Sequence, residues 1–320
     1  MPLPTKETLV MSKPGRAWKW AHVVLGWACV LGALPAAAQQ PESSPQEPPS
    51  QATRLLRAGQ AKQALALLDG HLKRHPQDDA ARRLRIQAHL ILAQPHAAEP
   101  DARLLARKHP RNADYADLLG SVLFHQGKVK EALGEFDRAI RLDPQRRPGH
   151  WQRGIACYYV GQYEQGARQF ELYLQVDAAD VENAVWHYLC VARSRGHQEA
   201  RKQLFPPGRD PRVPLPEVYR LFAGRGTPQQ VLDRLKEKND SQGRPLSQRA
   251  MRLRRFYAHL YLGLYYEVHG DIPQAKKHLD QAIQCRLAPH YMWYVARVHR
   301  RWLEGKLGPQ AVPPPGKAGP

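Results

Sequence analysis

Strand signals are nearly absent from this chain of 320 residues. Apolar and polar residues do not alternate and β-branched residues are thin, which excludes sheet-based architectures. Cysteine is scarce too, at Cys29, Cys157, Cys190 and Cys285. So sparse a set makes no disulfide framework, and the last three read as small apolar fillers of a core. No apolar run reaches the roughly 20 residues that a bilayer-spanning helix needs. The longest, "AHVVLGWACVLGAL", has 14. The motifs H-E-x-x-H, C-x-x-C, G-x-S-x-G and G-x-x-x-x-G-K are all missing, which removes the readiest routes to metal, thiol, serine and phosphate chemistry. The 15 histidines scatter without a recurring ligand spacing, so no metal and no cofactor is expected. Acidic residues number 29 against 48 Lys and Arg. That excess attracts acidic partners and says nothing about fold.

What is present begins with a leader. Lys13, Arg16 and Lys19 precede the apolar run, and Ala36 and Ala38 follow it. A basic head, a short apolar centre and small residues at the end make an export signal, expected to be cut after Ala38. Contact with a membrane is expected only if that segment stays attached. Cys29 follows Gly26, Trp27 and Ala28, a context that fits a lipid-attachment signal poorly. An exported protein, periplasmic or secreted, is the reading. Removal of residues 1–38 leaves 44 basic residues against 28 acidic ones, a net charge of +16.

A fixed interval organises the rest. "LKRHPQDD", "ARKHPRNA" and "IRLDPQRR" carry Pro76, Pro110 and Pro144, 34 residues apart each time. The same interval carries Gly59 and Ala64 onto Ala93 and Ala98, then onto Gly127 and Ala132, then onto Gly161 and Gly166. Downstream, "LYLGLYYEVHGDIPQAKKHLDQAI" repeats the pattern with Gly263, Gly270, Ala275, Leu279 and Ala282. A self-similar interval of this length is the mark of a stacked repeat. In "HQGKVKEALGEFDRAIRLDP", Ala132, Phe136, Ala139 and Ile140 share one helix face between Gly127 and Pro144. Such a helix needs its hairpin partner and the next hairpin to cover that face.

These segments resemble the tetratricopeptide repeat, most clearly in "ADYADLLGSVLFHQGKVKEALGEFDRAIRLDP" with Leu119, Gly120, Gly127, Ala132, Phe136, Ala139 and Pro144. The resemblance implies an all-α fold, an α-solenoid of helix-turn-helix hairpins. The expected divisions are a signal peptide at 1–38, a disordered leader at 39–50 and about five hairpins over 51–205, the first truncated. A helical insert and loop follow at 206–247, then a final hairpin with a capping helix at 248–304 and a loose tail at 305–320. Pro95 and Pro100 are expected to shorten the second helix of the second hairpin. The order of parts, with "NAVWHYLCVAR" and "FYAHLYLGLYYEVHGDIPQAKKHLDQAI", is similar to the bacterial NlpI-type envelope lipoproteins. That similarity implies an adaptor that presents a cell-wall hydrolase to a processing protease or to another hydrolase.

Repeats of this family bind protein or peptide segments along a concave groove lined by the first helix of each hairpin. Carried onto this chain, that groove holds Arg83 and Gln87, then Asp114, Asp117, Ser121 and His125. Further on it holds Trp151, Ile155, Tyr158 and Tyr159, and finally Val185, Leu189 and Arg193. Trp151, Tyr158 and Tyr159 read equally as packing against Trp186 and Tyr188. Leu118 and Pro148 stand where some members place polar residues that clamp a terminal carboxylate. A second surface is basic: Arg252, Arg254 and Arg255 with Arg297, Arg300 and Arg301. It reads as a solubilising cap, or as a docking patch for an acidic envelope polymer or protein. Nucleic acid, the third reading, sits badly with export. "GRGTPQQ" (Gly224–Gln230) reads as a connector between helices. The expected function is a non-enzymatic adaptor that grips a partner in its groove. The alternatives are a basic binder of acidic polymer with the repeats as spacer, and an enzyme sited in the insert from Pro206 to Ser247.

Overall fold

The computed structural model describes residues 48–206, 208 and 210–307. Residues 1–38, read above as an export signal, lie outside the described residues, as do 39–47 and 308–320. Among the described residues there are fifteen α-helices and no β-strand, only an isolated bridge between Asn239 and Pro245. None of these helices is long and apolar enough to cross a membrane.

The helices pair as hairpins. α1 (Pro48–Arg57) returns through α2 (Ala61–Arg74), and α3 (Asp79–Ile91) through α4 (Pro95–Lys108). α5 (Ala113–His125) pairs with α6 (Val129–Leu142), α7 (Trp151–Tyr159) with α8 (Tyr163–Tyr173), and α9 (Val181–Arg195) with the short α10 (His197–Lys202). Two helices then leave the rhythm, α11 (Leu215–Phe222) and α12 (Pro228–Asp233). The last hairpin, α13 (Gln248–Val268) and α14 (Ile272–Gln284), is followed by α15 (Tyr291–Trp302). The molecule is an all-α solenoid.

Local chemistry sets each start and reversal. The side chains of Asp78, Asn112, Asp180 and Ser247 accept backbone N–H bonds at the first turns of α3, α5, α9 and α13, satisfying donors that a helix start leaves bare. Between the two helices of a hairpin the backbone enters the left-handed region, at φ 83° for Gly127. Ala93 occupies the same place one repeat earlier, at φ 57°, and bears the steric cost that glycine avoids.

Two sequence expectations need correction. α4 has 14 residues, as α2 and α6 do, so its prolines do not shorten it. Pro95 holds the first helical position, where the missing N–H is unpaired in any case. The stretch 39–50, expected to be disordered, ends in helix, because α1 starts at Pro48.

Close approach within a hairpin depends on a missing side chain. A Cβ on Gly120 would stand 2.6 Å from the Phe136 ring, one on Gly154 2.7 Å from Phe170, and one on Gly263 2.8 Å from Leu279. In each pair the two residues are 16 apart in sequence, so one contact recurs through three hairpins. Ion pairs add to this: Lys108 with Asp79 at 2.9 Å ties the second hairpin together, and Lys128 with Glu99 at 2.7 Å joins it to the third. Burial alone would raise the Glu99 carboxyl, but Lys128 and Arg103 hold it down at about 2. The first hairpin and part of α3 bury a small core of their own around Leu56, Leu68 and Leu72, separate from the main core.

Replacing Gly120 by alanine is expected to destabilise the protein by about 1–3 kcal/mol through overpacking, outweighing the ~1 kcal/mol that alanine gains in an exposed helix interior. Urea unfolding checks this. A stability gain in G120A is incompatible with the packing of Phe136 on bare backbone.

Candidate functional site: the trough and its plug

The inner helices α3, α5, α7 and α9 line a trough, and the C-terminal part of the chain fills most of it. α15 lies against α5 and α7. The Tyr294 ring stacks on His125 with centroids 3.8 Å apart, and Tyr291 stacks on Phe124 at 5.3 Å. Trp302, 1% exposed, meets Tyr158 and Tyr159 edge-on, each at about 5.7–5.8 Å. The Tyr294 hydroxyl donates to the Leu90 carbonyl at 2.6 Å, and Arg301 donates to the Gln126 carbonyl at 2.7 Å. The end of the chain thereby bonds to its second and third hairpins.

Beneath α15 sits a buried polar knot. Glu267, from α13 and wholly shielded from solvent, accepts the Tyr158 hydroxyl at 2.7 Å and Arg193 Nη2 at 2.7 Å. His299 Nε2 lies 3.7 Å from the same carboxylate, while its Nδ1 meets the Tyr159 hydroxyl at 3.1 Å. Burial pushes Glu267 up to about 7, against the pull of Arg193 and Tyr158. Burial, with Arg193 adding to it, holds His299 down at about 3.

The insert is latched to the same assembly. Arg212 donates to Asp180, Glu182 and Asp210, and the Tyr261 hydroxyl donates to Glu182. Leu215, Val218 and Phe222 of α11 are buried in the main core. Among the described residues no three His, Cys, Asp or Glu gather in a way that could hold a metal ion.

Residues 92–147 match the family model for the tetratricopeptide repeat. That stretch is similar to the tetratricopeptide repeat. A tetratricopeptide repeat protein from Parabacteroides merdae shares the fold at 11% identity, covering 78% of this chain and 96% of that one with a TM-score of 0.50. The Thermus thermophilus tetratricopeptide protein TTC0263 aligns at 22% identity over 49% of this chain and 86% of its own, with a TM-score of 0.38. Pseudomonas aeruginosa pilF aligns at 17% identity over 78% and 96%, with a TM-score of 0.43.

Most of the residues expected to line an open tetratricopeptide groove are covered. Tyr158 and Tyr159 have no exposed surface, and neither do Val185 and Leu189; Ile155 is 1% exposed. Tyr158 does meet Trp186, at 5.8 Å, but α13 and α15 close its other side. Trp151 is half-buried, edge-on to Tyr291. His125 lies under Tyr294, Asp117 pairs with His150 at 3.0 Å, and Arg193 is bound to Glu267. Asp114 is exposed but engaged by Arg146, and Ser121 is half-buried. Only Arg83, exposed, and Gln87, half-buried on α3, keep an open aspect.

The basic patch does not assemble either. Arg254 is buried and donates to the carbonyls of Arg234 and Glu237. Arg300 pairs with Asp280 and Glu304, Arg301 is spent on Gln126, and the Arg297 guanidinium lies over Trp293. Arg252 and Arg255 are exposed, with Arg255 bonded to Gln281. Sequence reasoning missed Glu267, Tyr294, His299 and Trp302. The available signal was α15 itself, apolar around most of its circumference, which marks a helix packed on several sides.

His125 is buried with both ring nitrogens unpartnered, and burial together with Arg297 holds it down at about 3. Its folded value is below the ordinary 6.5, so it stabilises fully above pH 6.5 and progressively less as pH falls toward 3. Replacing it by phenylalanine keeps a ring against Tyr294 and removes that titration. Between pH 7.5 and 5, H125F is expected to lose about 2 kcal/mol less than the unmodified protein. Urea unfolding across that range checks this. Superimposable acid limbs are the contrary result.

Proposed function

We propose that the protein is a non-enzymatic interaction scaffold exported to the bacterial cell envelope. It holds a segment of another protein at the stretch of trough that its C-terminal helix leaves uncovered. The observation that carries the reading is the stack of helical hairpins whose inner surface stays exposed or half-exposed at Arg83 and Gln87, while Tyr158, Tyr159, Val185 and Leu189 are sealed. Repeat stacks offer extended inner faces for binding, and a rigid framework keeps such a face ready without ordering on contact. The envelope location rests on the export signal in residues 1–38, with the mature chain starting after Ala38. The similarity to NlpI-type lipoproteins supports cell-wall hydrolases or a processing protease as clients.

The polymer-binding alternative loses its surface, because five of its six arginines bond or stack within the protein. The insert from Pro206 to Ser247 uses Asp210 and Arg212 to fasten itself to α9, which leaves little there for a catalytic role.

Cross-linked capture from a bacterial envelope extract tests the scaffold, with the mature chain and its R83E/Q87E variant as parallel baits. A genuine client is recovered about tenfold less on the variant, since charge reversal at a docking face costs on the order of 1–2 kcal/mol. Equal recovery on both baits overturns the placement. N-terminal sequencing of the exported protein, expected to begin at Gln39, tests the location.

A further inference from the structure

A cleft of about 560 Å³ lies between the turn at Ile91, Leu92 and Ala93 and the junction of α14 with α15. Ile283, Ala288 and Trp293 complete an apolar floor, and Gln284, Arg286 and Arg297 supply the polar groups. No acidic residue lines it. The Arg297 guanidinium lies 4.9 Å from the Trp293 ring centroid and 5.8 Å from that of Tyr294. Its Nη1 is sealed from solvent and has no hydrogen-bond partner. Arg286 is exposed at the rim, and among the described residues no carboxylate pairs with either arginine. The nearby His125 is held neutral by burial and brings no competing charge.

We propose that this cleft binds a protein segment presenting one carboxylate beside a large apolar side chain. The carboxylate accepts from Arg297, with Arg286 reinforcing it, while the apolar group lies on Ile91, Ile283 and Trp293. The part of the Arg297 guanidinium that lines the cleft is flanked by aromatic rings and shaped for a carboxylate in its own plane. The positive, acid-free lining selects the sign of the ligand. The six apolar residues around it select against a bare anion, which gains nothing from them. The two walls come from opposite ends of the solenoid and are joined by the Tyr294 bond to Leu90, so the site exists only while α15 is seated. This assignment rests on the scaffold reading and names the class of segment it takes.

Calorimetry on the full mature chain tests it, with two acetylated and amidated nonapeptide libraries as probes. One fixes a central large apolar residue next to glutamate; the other is identical except for glutamine. The glutamate library is expected to bind at least tenfold more tightly. R297Q abolishes that preference, R297K retains part of it through charge alone, and R252Q leaves it intact. Circular dichroism confirms that each variant is folded. Equal binding of the two libraries, or a preference that survives in R297Q, overturns the proposal. So does a site that binds decanoate while binding neither library, since it then takes a small amphiphile. If neither library binds but an envelope client is still captured in an Arg83-dependent way, the carboxylate assignment fails and the scaffold stands.

Discussion

Glu267 is a carboxylate with no access to water, and an uncompensated charge in such a place is not tolerated. Its compensation comes from two separate helices, Tyr158 on α7 and Arg193 on α9, while His299 on α15, held neutral by burial, packs beside the carboxylate at 3.7 Å. The partners that keep Glu267 satisfied are therefore ones that hold the C-terminal hairpin inside the curve of the stack. Removing one partner leaves the others buried and short of a bond, which costs more than the bond itself contributed. Buried polar groups of this kind demand one arrangement of helices where greasy contacts alone accept several.

That constraint changes what a repeat stack does. An open solenoid is stabilised hairpin by hairpin, and its two ends are coupled only through every interface between them. Here Tyr294 and Arg301 bond across more than 170 residues of sequence, to Leu90 and Gln126. The middle of the molecule is thereby closed over itself. The first hairpin, with its separate small core, remains a terminal unit of the ordinary kind, so local opening is expected to concentrate there.

The repeat itself was legible because its constraints are local. Gly120 against Phe136, the left-handed turn at Gly127 and the recurrence every 34 residues all follow from one hairpin's need to pack. Tyr158, Tyr159 and His125, expected on the inner face, are buried against the C-terminal helices. What covers them was not legible, because periodicity reports which side of a helix is inward and is silent about what lies opposite. For Tyr158 and Tyr159 the opposing surface is 109 to 140 residues or more away in the chain. The arginines failed for a related reason. Counted along the sequence, Arg254, Arg300 and Arg301 look like a patch; in space each has been assigned a carbonyl or a carboxylate of its own.

Closure also explains why a cleft with such a lining sits where it does. α15 must turn out of α14 at Arg286 and Leu287 before it can enter the trough, and the apolar residues at that turn have only the α3–α4 turn to face. Two turns cannot interdigitate as two helices do, so Ile91, Leu92 and Ile283 stay only partly buried. Arg297 then emerges from the middle of α15 into a space with aromatic walls and no acid. The same seating that seals the inner faces of α5, α7 and α9 thus builds a small surface that no single repeat could have made. A partner lodged there touches both ends of the closed loop at once, so its binding energy adds directly to the force that keeps the last helix in place.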